Sequence, residues 1–334
     1  MAKTADRKEI LLELQGVCKY FPVKKGFFQR TVGSVKAVDD ITLTVEKGTT
    51  LGIVGESGCG KTTLGRTIIR LNKPTKGTIK LRMNGKMVDL ATRPKRDLEV
   101  IKKMQIVFQD PYASLNPSKN IFSAFDEPLK IQGIKSREER LAIATKMMET
   151  VNLQPEYLFR YPHEFSGGQR QRICIAKALA LDPELIVCDE AVSALDVSIQ
   201  ASIMNLLRRL QKERDLTYLF ISHDLSVVQY MSDKIAVMYL GKLVELADSE
   251  KLYNHCLHPY TEALLSAVPV PKVGVETNKI QLTGDIPSPI NPPSGCRFHP
   301  RCRYCTEKCK TEEPQLVSVT DDGTHMVACH HKLA

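Results

Sequence analysis

The sequence lacks tryptophan, and aromatic residues make up only 6% of its 334 residues. It also lacks any run of about 18 apolar residues, the length that a membrane-spanning helix needs. Its first stretch, MAKTADRKEILLEL, has neither the apolar core nor the small-residue cleavage site of a secretory signal. These absences argue against a membrane-spanning or secreted chain. We therefore expect a protein in the cytosol or on the cytosolic face of a membrane.

A compact polybasic tract is also missing, although the 47 lysines and arginines outnumber the 38 aspartates and glutamates and give a formal net charge of +9. Such a balance favours phosphate-bearing partners or an anionic membrane surface without selecting between them. The hydrophobic fraction of 43% and the charged fraction of 25% are those of a globular protein. A chain of this length is expected to form two domains.

Alternating strand and helix patterns predict the fold class. Three apolar runs, TLGIVG, ELIVCDE and TYLFISH, are typical of buried strands, and residues 11–54 have the pattern of strands and turns. The segments TTLGRTIIRLN, QRQRICIAKALAL and ASIMNLLRRLQKE have helical spacing. This alternation predicts an α/β fold with a largely parallel sheet covered on both faces. Prolines crowd residues 269–295, so this segment is predicted to be a linker.

The motif GESGCGKTT follows an apolar run and precedes a helical one, which is the context of a phosphate-binding loop. Its glycines let backbone N–H groups turn toward phosphate oxygens, and the helix N-terminus adds partial positive charge. Lys61 can reach the terminal phosphates, and the Thr62 hydroxyl can ligate Mg²⁺. The predicted phosphate site consists of Gly55, Glu56, Ser57, Gly58, Cys59, Gly60, Lys61, Thr62 and Thr63.

Two acidic residues end the apolar run ELIVCDE, where ligands of open α/β sheets bind. Asp189 is placed to hold Mg²⁺, and Glu190 can polarise an attacking water as a general base. A further motif, FSGGQRQR, puts Ser166, Gly167 and Gly168 directly before a helix. Those three residues form either a second anion site or an ordinary helix cap.

Taken in order, GESGCGKTT, VFQD, SGGQ, LIVCDE, SALD and ISHD resemble the motifs of the nucleotide-binding subunits of ATP-binding cassette (ABC) transporters. The resemblance covers about residues 11–270. It implies a P-loop NTPase core with an antiparallel β-subdomain and a helical subdomain at about 106–180. It also implies an ABC nucleotide-binding domain at 1–268, followed at 269–334 by a proline-rich linker and a small cysteine-rich extension.

The same resemblance implies roles for single residues in ATP hydrolysis. Gln109 is expected to sense the γ-phosphate and Mg²⁺ and to relay their presence to a membrane partner. His223 is expected to contact the γ-phosphate, and Phe21 is expected to stack on adenine. With Glu190 as the base, the chain is expected to be a hydrolytically competent ATPase that uses Mg²⁺ held by Thr62, Gln109 and Asp189.

A head-to-tail pair of ATPase subunits is also implied. In such a pair, one subunit closes over the ATP that Lys61 of the other subunit holds. The closing residues are expected to be Ser166, Gly167, Gly168, Gln169 and Asp196. ATP binding would then join the subunits, and hydrolysis would release them.

Two segments narrow the resemblance within the family. HPYTEALLSAVP and GDIPSPINPPSGCRFHPRC resemble the C-terminal extension of oligopeptide and dipeptide importer ATPases, most closely the second of the two that such importers pair. This implies a companion ATPase, two membrane-spanning permeases, an extracytoplasmic peptide-binding protein and no nucleic acid. The chain would lie peripherally on the cytosolic face of the cell membrane. Import of nickel or another small solute, and a soluble redox-regulated ATPase, remain as alternatives.

Five of the ten cysteines lie in the last 39 residues. In a cytosolic chain such a cluster favours a metal over disulfides, and four thiolates suit either Zn²⁺ or an iron–sulfur cluster. The resemblance to importer ATPases implies a [4Fe–4S] cluster, with Zn²⁺ as the alternative. It assigns the ligands to Cys296, Cys302, Cys309 and Cys329, and leaves Cys305 as an extra cysteine.

Overall fold

The computed structural model describes residues 9–26, 30–268 and 279–333. The chain divides into two compact units, which are built from interleaved segments of the sequence. The first unit comprises residues 1–46, 50–92 and 221–334, and the second comprises 47–49 and 93–220. Part of the predicted proline-rich linker, residues 269–278, lies outside the described residues.

The strands, in chain order, are β1 (Ile10–Lys25), β2 (Arg30–Glu46), β3 (Thr50–Val54), β4 (Lys76–Met83), β5 (Lys86–Asp89), β6 (Met104–Val107), β7 (Leu185–Asp189), β8 (Thr217–Ile221), β9 (Lys234–Tyr239), β10 (Lys242–Asp248), β11 (Val317–Ser318) and β12 (His325–Val327). The helices are α1 (Lys61–Ile68), α2 (Leu98–Lys103), α3 (Pro111–Ser114), α4 (Ile121–Ile131), α5 (Arg137–Thr150), α6 (Gly167–Leu179), α7 (Val197–Arg214), α8 (Leu225–Met231), α9 (Ser249–Asn254), α10 (Pro259–Ser266) and α11 (Glu307–Thr311). Short 3₁₀ turns occur at Leu90–Thr92, Pro155–Phe159, Pro162–Glu164 and His299–Arg301.

The first unit contains two groups of paired strands. One is an antiparallel sheet with the order β2-β1-β4-β5, and the other has the order β11-β12-β10-β9-β3. Every residue of β3 is buried, and β3 runs parallel to β9. A strand that is buried on both faces reads as a continuous apolar run, which explains the TLGIVG signal. The carboxyl end of β3 leads directly into the loop before α1.

In the second unit the strand order is β8-β7-β6, and β6 runs parallel to β7. The last residue of β8 belongs to the first unit. All five residues of β7 are buried, and so are all five of β8. Its helices begin at capping side chains: Asn120 caps α4, Ser136 caps α5 and Asp196 caps α7. These caps satisfy backbone N–H groups that would otherwise lack partners. In the same unit, Asp189 is the last residue of the buried strand β7.

The C-terminal extension is part of the first unit. Its strand β12 pairs antiparallel with β10 and so lengthens the strand group that contains β3. Beneath this pairing, the carboxylate of the fully buried Glu245 accepts hydrogen bonds from the backbone N–H of Leu257 (2.7 Å) and of His258 (3.1 Å), and it lies 2.8 Å from Nε2 of His325. Residues 279–295, the described part of the linker, contain neither helix nor strand.

These observations confirm the predicted α/β organisation. The three apolar runs are β3, β7 and β8, and the three predicted helices correspond to α1, α6 and α7. Among the helices of the described residues, none combines the length and the apolar character that a bilayer span requires. The predicted boundary at residue 268 and the limits of the helical subdomain remain predictions.

Candidate functional site

The loop between β3 and α1 has a backbone that requires glycine. Gly55, Gly58 and Gly60 have φ angles of 151°, 78° and 107°, which L-residues rarely adopt. A Cβ at Gly60 would lie 1.9 Å from the carbonyl oxygen of Ala37, and one at Gly55 would lie 2.2 Å from that of Met238. The loop is therefore packed against backbone on its inner side. Only glycine fits at these two positions.

Lys61 is the first residue of α1 and is 5% exposed. Its Nζ donates to the carbonyl oxygens of Gly55 (2.8 Å) and Glu56 (3.0 Å), so the loop itself holds the ammonium group at the helix N-terminus. Backbone N–H groups at that terminus and the lysine charge together form an anion site. The half-buried Thr62 follows in the same turn. This arrangement suits phosphate oxygens with an associated cation.

Glu56 is held by two residues from the C-terminal part of the chain. Its backbone N–H donates to the hydroxyl of Tyr260 (2.8 Å), and its carboxylate accepts two hydrogen bonds from Arg301, at 2.7 and 3.1 Å. Hydrogen bonding to this carboxylate raises the pKa of the Arg301 guanidinium above its ordinary value. Neither contact leaves a signal in the sequence, because 204 and 245 residues separate the partners along the chain.

The first unit also contains Phe21 and His223. Phe21 lies on β1 with 38% of its surface exposed, and Nζ of Lys19 is 4.8 Å from its ring centroid. The neighbouring Tyr20 is engaged, because its hydroxyl donates to the carboxylate of Asp39. Phe21 is thus the more available of the two rings for stacking. His223 is exposed and follows β8.

In the second unit, the structure brings Gln109 and Glu190 together. The side-chain amide of Gln109 donates to the Glu190 carboxylate (3.0 Å) and lies 3.4 Å from the hydroxyl of Ser193. Glu190 has a φ of 51°, in the left-handed region, whereas Asp189 ends the buried β7. The sequence did not reveal this contact or the unusual backbone. Both follow from the sharp turn after β7.

The SGGQ motif forms a helix cap. The hydroxyl of Ser166 accepts a hydrogen bond from the N–H of Gln169 (3.3 Å), and the Gln169 side chain accepts one from the N–H of Ser166 (3.0 Å). Gly167 and Gly168 are the first residues of α6. Ser166 is exposed, so its position is also compatible with a ligand from outside the chain.

Asp196 caps α7 in the same manner. Its carboxylate accepts hydrogen bonds from the N–H of Ile199 (3.0 Å) and the hydroxyl of Ser198 (2.7 Å). The hydrogen bond from Ile199 lowers the pKa of this exposed carboxyl group.

The predicted site residues fall into two groups. Phe21, Gly55 to Thr63 and His223 belong to the first unit, and Gln109, Ser166 to Gln169, Asp189, Glu190 and Asp196 belong to the second.

Four of the five C-terminal cysteines line one pocket: Cys296, Cys302, Cys309 and Cys329. Cys305, which the sequence left as an extra cysteine, is not among the lining residues. Burial raises the pKa of the Cys296 thiol to about 12 and that of Cys329 to about 11. Within residues 9–26, 30–268 and 279–333, no three His, Cys, Asp or Glu side chains are arranged to hold a metal ion. The predicted metal set thus shares a pocket without forming a ready-made coordination site.

His258 lines the same pocket and is fully buried. Its Nδ1 accepts a hydrogen bond from the N–H of Tyr260 (3.0 Å), and burial lowers its pKa to about 4. The neutral ring therefore carries its hydrogen on Nε2, which has no hydrogen-bond partner among the described residues. A buried donor without an acceptor is costly, so an acceptor in this pocket would stabilise it.

Comparisons with known proteins agree with the sequence motifs. The family described as "ABC transporter" matches residues 38–193, and the family "Oligopeptide/dipeptide transporter, C-terminal region" matches residues 244–309. The chain is 53% identical over 329 residues to the oligopeptide transport ATP-binding protein AppF of Bacillus subtilis, covering 98% of this chain and 99% of AppF. It is 50% identical over 322 residues to the dipeptide transport ATP-binding protein DppF of Haemophilus influenzae, covering 96% of each.

Solved structures with a similar fold include a dimeric post-hydrolysis state of the ATP-binding cassette MJ0796 bound to ADP and Pi. That match has a TM-score of 0.61 and 28% identity, and it covers 72% of this chain and 99% of MJ0796. A second match is cbiO1 from Clostridium perfringens, with a TM-score of 0.60 and 22% identity over 74% of this chain and 92% of cbiO1; it supports the fold alone. Together these similarities confirm the predicted fold class, a P-loop NTPase of the cassette type.

Proposed function

Because the chain belongs to the ABC transporter ATPases with an oligopeptide/dipeptide transporter C-terminal region, we propose that it drives the uptake of di- and oligopeptides by hydrolysing ATP. One observation carries the ATPase part of this proposal. It is the loop between β3 and α1, in which three glycines and the buried Lys61 form an anion site at a helix N-terminus. The peptide cargo rests on the relatives, whose names give peptides as their substrates.

For ATP binding, we propose that the backbone from Gly55 to Thr63 surrounds the phosphates and that Phe21 stacks on adenine. Lys61 neutralises phosphate charge, and the Thr62 hydroxyl, the Asp189 carboxylate and Gln109 would hold Mg²⁺. The ion would supply further neutralisation of the phosphate charge. The exposed face of Phe21 supports its assignment.

For hydrolysis, we propose that Glu190 accepts the proton of the attacking water and that His223 contacts the γ-phosphate. The hydrogen bond from Gln109 fixes the Glu190 carboxylate, which supports a shared role for these two residues. Ser166, Gly167, Gly168, Gln169 and Asp196 are proposed to act on a nucleotide held by a companion ATPase. Ser166 and Asp196 are exposed at the starts of α6 and α7, which is compatible with that role.

Uptake assays test the cargo and the ATPase role together. Cells lacking this chain are complemented with the wild type or with Lys61→Ala, and the uptake of labelled dipeptides, pentapeptides and Ni²⁺ is measured. Peptide uptake that depends on Lys61 supports the proposal. Lys61-dependent uptake of Ni²⁺ alone would favour the nickel alternative, and ATPase activity without any uptake would favour a soluble ATPase.

The partners are proposed to be a companion ATPase, two permeases and an extracytoplasmic binding protein, with this chain held peripherally at the cytosolic face. A groove in the second unit is a candidate contact for a permease. It lies beside α3, the helix that begins two residues after Gln109. Its lining includes Asn116, Pro128 and Ile131, and Ile131 is 64% exposed. An exposed apolar side chain of this kind is typical of interaction sites.

Ile131→Glu is therefore expected to reduce co-purification with the permeases from membranes while the isolated chain still binds ATP. Leu71→Glu is the matched control, because Leu71 is 55% exposed and lies outside the groove. Equal recovery of the permeases with both variants would contradict this contact.

The cysteine pocket is proposed to hold a [4Fe–4S] cluster, with Zn²⁺ as the alternative. The ligands would be Cys296, Cys302, Cys309 and Cys329, because these four line one pocket. The Nε2–H of His258, which has no hydrogen-bond partner within the described part of the chain, supports a group with acceptor atoms there, since cluster sulfur and thiolate sulfur both accept hydrogen bonds. Such a group would join the ends of an extension too small to form its own core.

Iron and sulfide analysis of anaerobically purified protein tests this assignment. Cys302→Ser is expected to lose the metal, whereas the control Cys305→Ser retains it. Four irons with acid-labile sulfide support the cluster. One zinc per chain without iron would replace it by the zinc alternative, and equal metal loss in both variants would contradict the ligand set.

A further inference from the structure

The segment between Cys296 and Cys302 attaches the C-terminal extension to the nucleotide-binding core of the first unit. Arg297 donates to the carbonyl oxygen of Leu240 and to the carboxylate of Asp39. Phe298 is 2% exposed, and its ring packs 5.3 Å from the ring of Tyr239 and 5.3 Å from that of Tyr260, measured between centroids. These contacts bury a charged and an aromatic side chain of the extension. They fix the position of the segment against the core.

Arg301, near the end of this segment, forms an ion pair with Glu56. It is 9% exposed, and its two terminal nitrogens donate to the two carboxylate oxygens of Glu56. A paired arrangement of this kind fixes orientation as well as distance, because a planar guanidinium matches a planar carboxylate. Glu56 is the second residue of the GESGCGKTT loop. The extension thus makes an oriented ionic contact with the phosphate-binding loop itself.

Through its backbone, Glu56 also contacts the lysine of the loop. The carbonyl oxygen of Glu56 accepts a hydrogen bond from Nζ of Lys61, and its N–H donates to Tyr260. The side chain, N–H and carbonyl oxygen of one residue are therefore all engaged, two of them by the C-terminal region. A phosphate-binding loop binds tightly when its backbone already has the bound conformation, because no ordering cost then opposes binding.

We infer that Arg301 is a positioning residue for the phosphate-binding loop, and that through it the C-terminal extension sets the nucleotide affinity of the ATPase. This inference rests on the proposed function, in which the loop from Gly55 to Thr63 binds ATP. Arg301 itself touches no substrate in this scheme. It acts by holding Glu56, and loss of its side chain frees the first turn of the loop.

Nucleotide affinity measured on the full-length chain tests this inference. Titration with the fluorescent analogue mant-ATP is expected to show about 10-fold weaker binding to Arg301→Gln than to the wild type, in the range of measured couplings between sites. Glu56→Gln is expected to show a similar loss. The double variant is expected to bind no more weakly than either single variant, because both substitutions remove the same contact. Arg301→Lys, which keeps the charge but not the paired geometry, is expected to recover part of the affinity.

Arg303→Gln is the matched control. Arg303 is two residues away in the same extension and pairs with Glu262 at 2.7 Å, so this variant also removes an ion pair of the extension but none on the loop. Its mant-ATP affinity is expected to equal that of the wild type. Hydrogen exchange of the amides from Gly55 to Lys61 should become faster in Arg301→Gln and stay unchanged in Arg303→Gln.

Two results would overturn the inference. One is wild-type affinity in Arg301→Gln, and the other is an equal loss in Arg301→Gln and Arg303→Gln. If the Arg301→Gln protein fails to fold, Glu56→Gln and Arg301→Lys carry the same test. A wild-type chain that binds no mant-ATP at all would count against the proposed function instead, so the two failures are distinguishable.

Discussion

The side-chain amide of Gln109 donates a 3.0 Å hydrogen bond to the carboxylate of Glu190, which itself has a backbone φ of 51°. A residue other than glycine in this left-handed region carries a conformational cost that the surrounding structure must support. Here the carbonyl oxygen of Glu190 accepts hydrogen bonds from the N–H and the hydroxyl of Ser193. The turn after β7 thereby holds the carboxylate in one orientation, beside a glutamine from a different loop.

Replacing Glu190 by Gln tests the proposed general base. Glutamine keeps the shape of the side chain but cannot accept the proton of water, so ATP turnover is expected to fall about 100-fold or more while ATP binding persists. Phosphate release and mant-ATP affinity of the same protein measure the two effects separately. Near-normal phosphate release would contradict the role assigned to Glu190.

Gly60→Ala is expected to be far more damaging than Gly58→Ala. Both glycines have positive φ angles, but a Cβ at Gly60 would meet the Ala37 carbonyl oxygen at 1.9 Å, whereas a Cβ at Gly58 would meet no atom of the described residues within 4 Å. The first variant therefore adds a clash with backbone to the conformational cost. We expect about 3 kcal/mol of destabilisation for Gly60→Ala and about 1 kcal/mol for Gly58→Ala.

Thermal unfolding of the two glycine variants without nucleotide measures this difference. Circular dichroism at a single protein concentration is sufficient, since the comparison needs only the two unfolding midpoints. If both variants unfold at the same temperature, the close contact between Gly60 and Ala37 is not significant for stability.

The features that the sequence predicted are those with local causes. The glycines of GESGCGKTT are required by the turn that they form, and Ser166 with Gln169 forms a capping box within four residues. Contacts between distant residues left no such signal. In the sequence, Arg301 is one of 47 lysines and arginines and nothing distinguishes it from the others. Only the fold places it beside Glu56. The left-handed backbone at Glu190 could not be predicted from the sequence either, because glutamate has no preference for that conformation.

Asp39 is expected to make the stability of the protein depend on pH in the acid range. Burial raises the pKa of this carboxyl group, but the hydrogen bond from Tyr20 and the charges of Arg297 and Lys242 outweigh burial, and the pKa lies below its ordinary value of 3.8. The sulfur of Cys18 also faces the carboxylate. Since the folded-state pKa is the lower one, the unfolded chain binds more protons below about pH 3.8. The stabilisation is therefore complete above pH 3.8 and is lost as pH falls through the folded-state pKa.

Urea midpoints measured between pH 2.5 and 5 for the wild type and Asp39→Asn test this dependence. The variant is expected to be less stable at pH 5 and to show a shallower loss of stability on acidification. Asp40→Asn is the matched control, because the side chain of Asp40 is 62% exposed. An unchanged slope in Asp39→Asn would show that Asp39 does not carry the effect.

Removal of the proposed metal is expected to weaken ATP binding through Arg301. Cys302 directly follows Arg301, and Cys296 lies at the other end of the same docked segment. If the metal fixes both ends, its loss should free Arg301 from Glu56. Chelation of iron from the anaerobic wild-type protein is then expected to lower mant-ATP affinity by about the same factor as Arg301→Gln, near 10-fold.

The combination of chelation and substitution is the sharper measurement. In Arg301→Gln the contact is already absent, so chelation is expected to cause no further loss of affinity. Iron content is determined in parallel, which separates a failure to remove the metal from a failure of coupling. If chelation weakens ATP binding equally in the wild type and in Arg301→Gln, the metal acts on the nucleotide site by a route other than the contact between Arg301 and Glu56. If the depleted wild type binds mant-ATP with undiminished affinity, the metal does not control this contact.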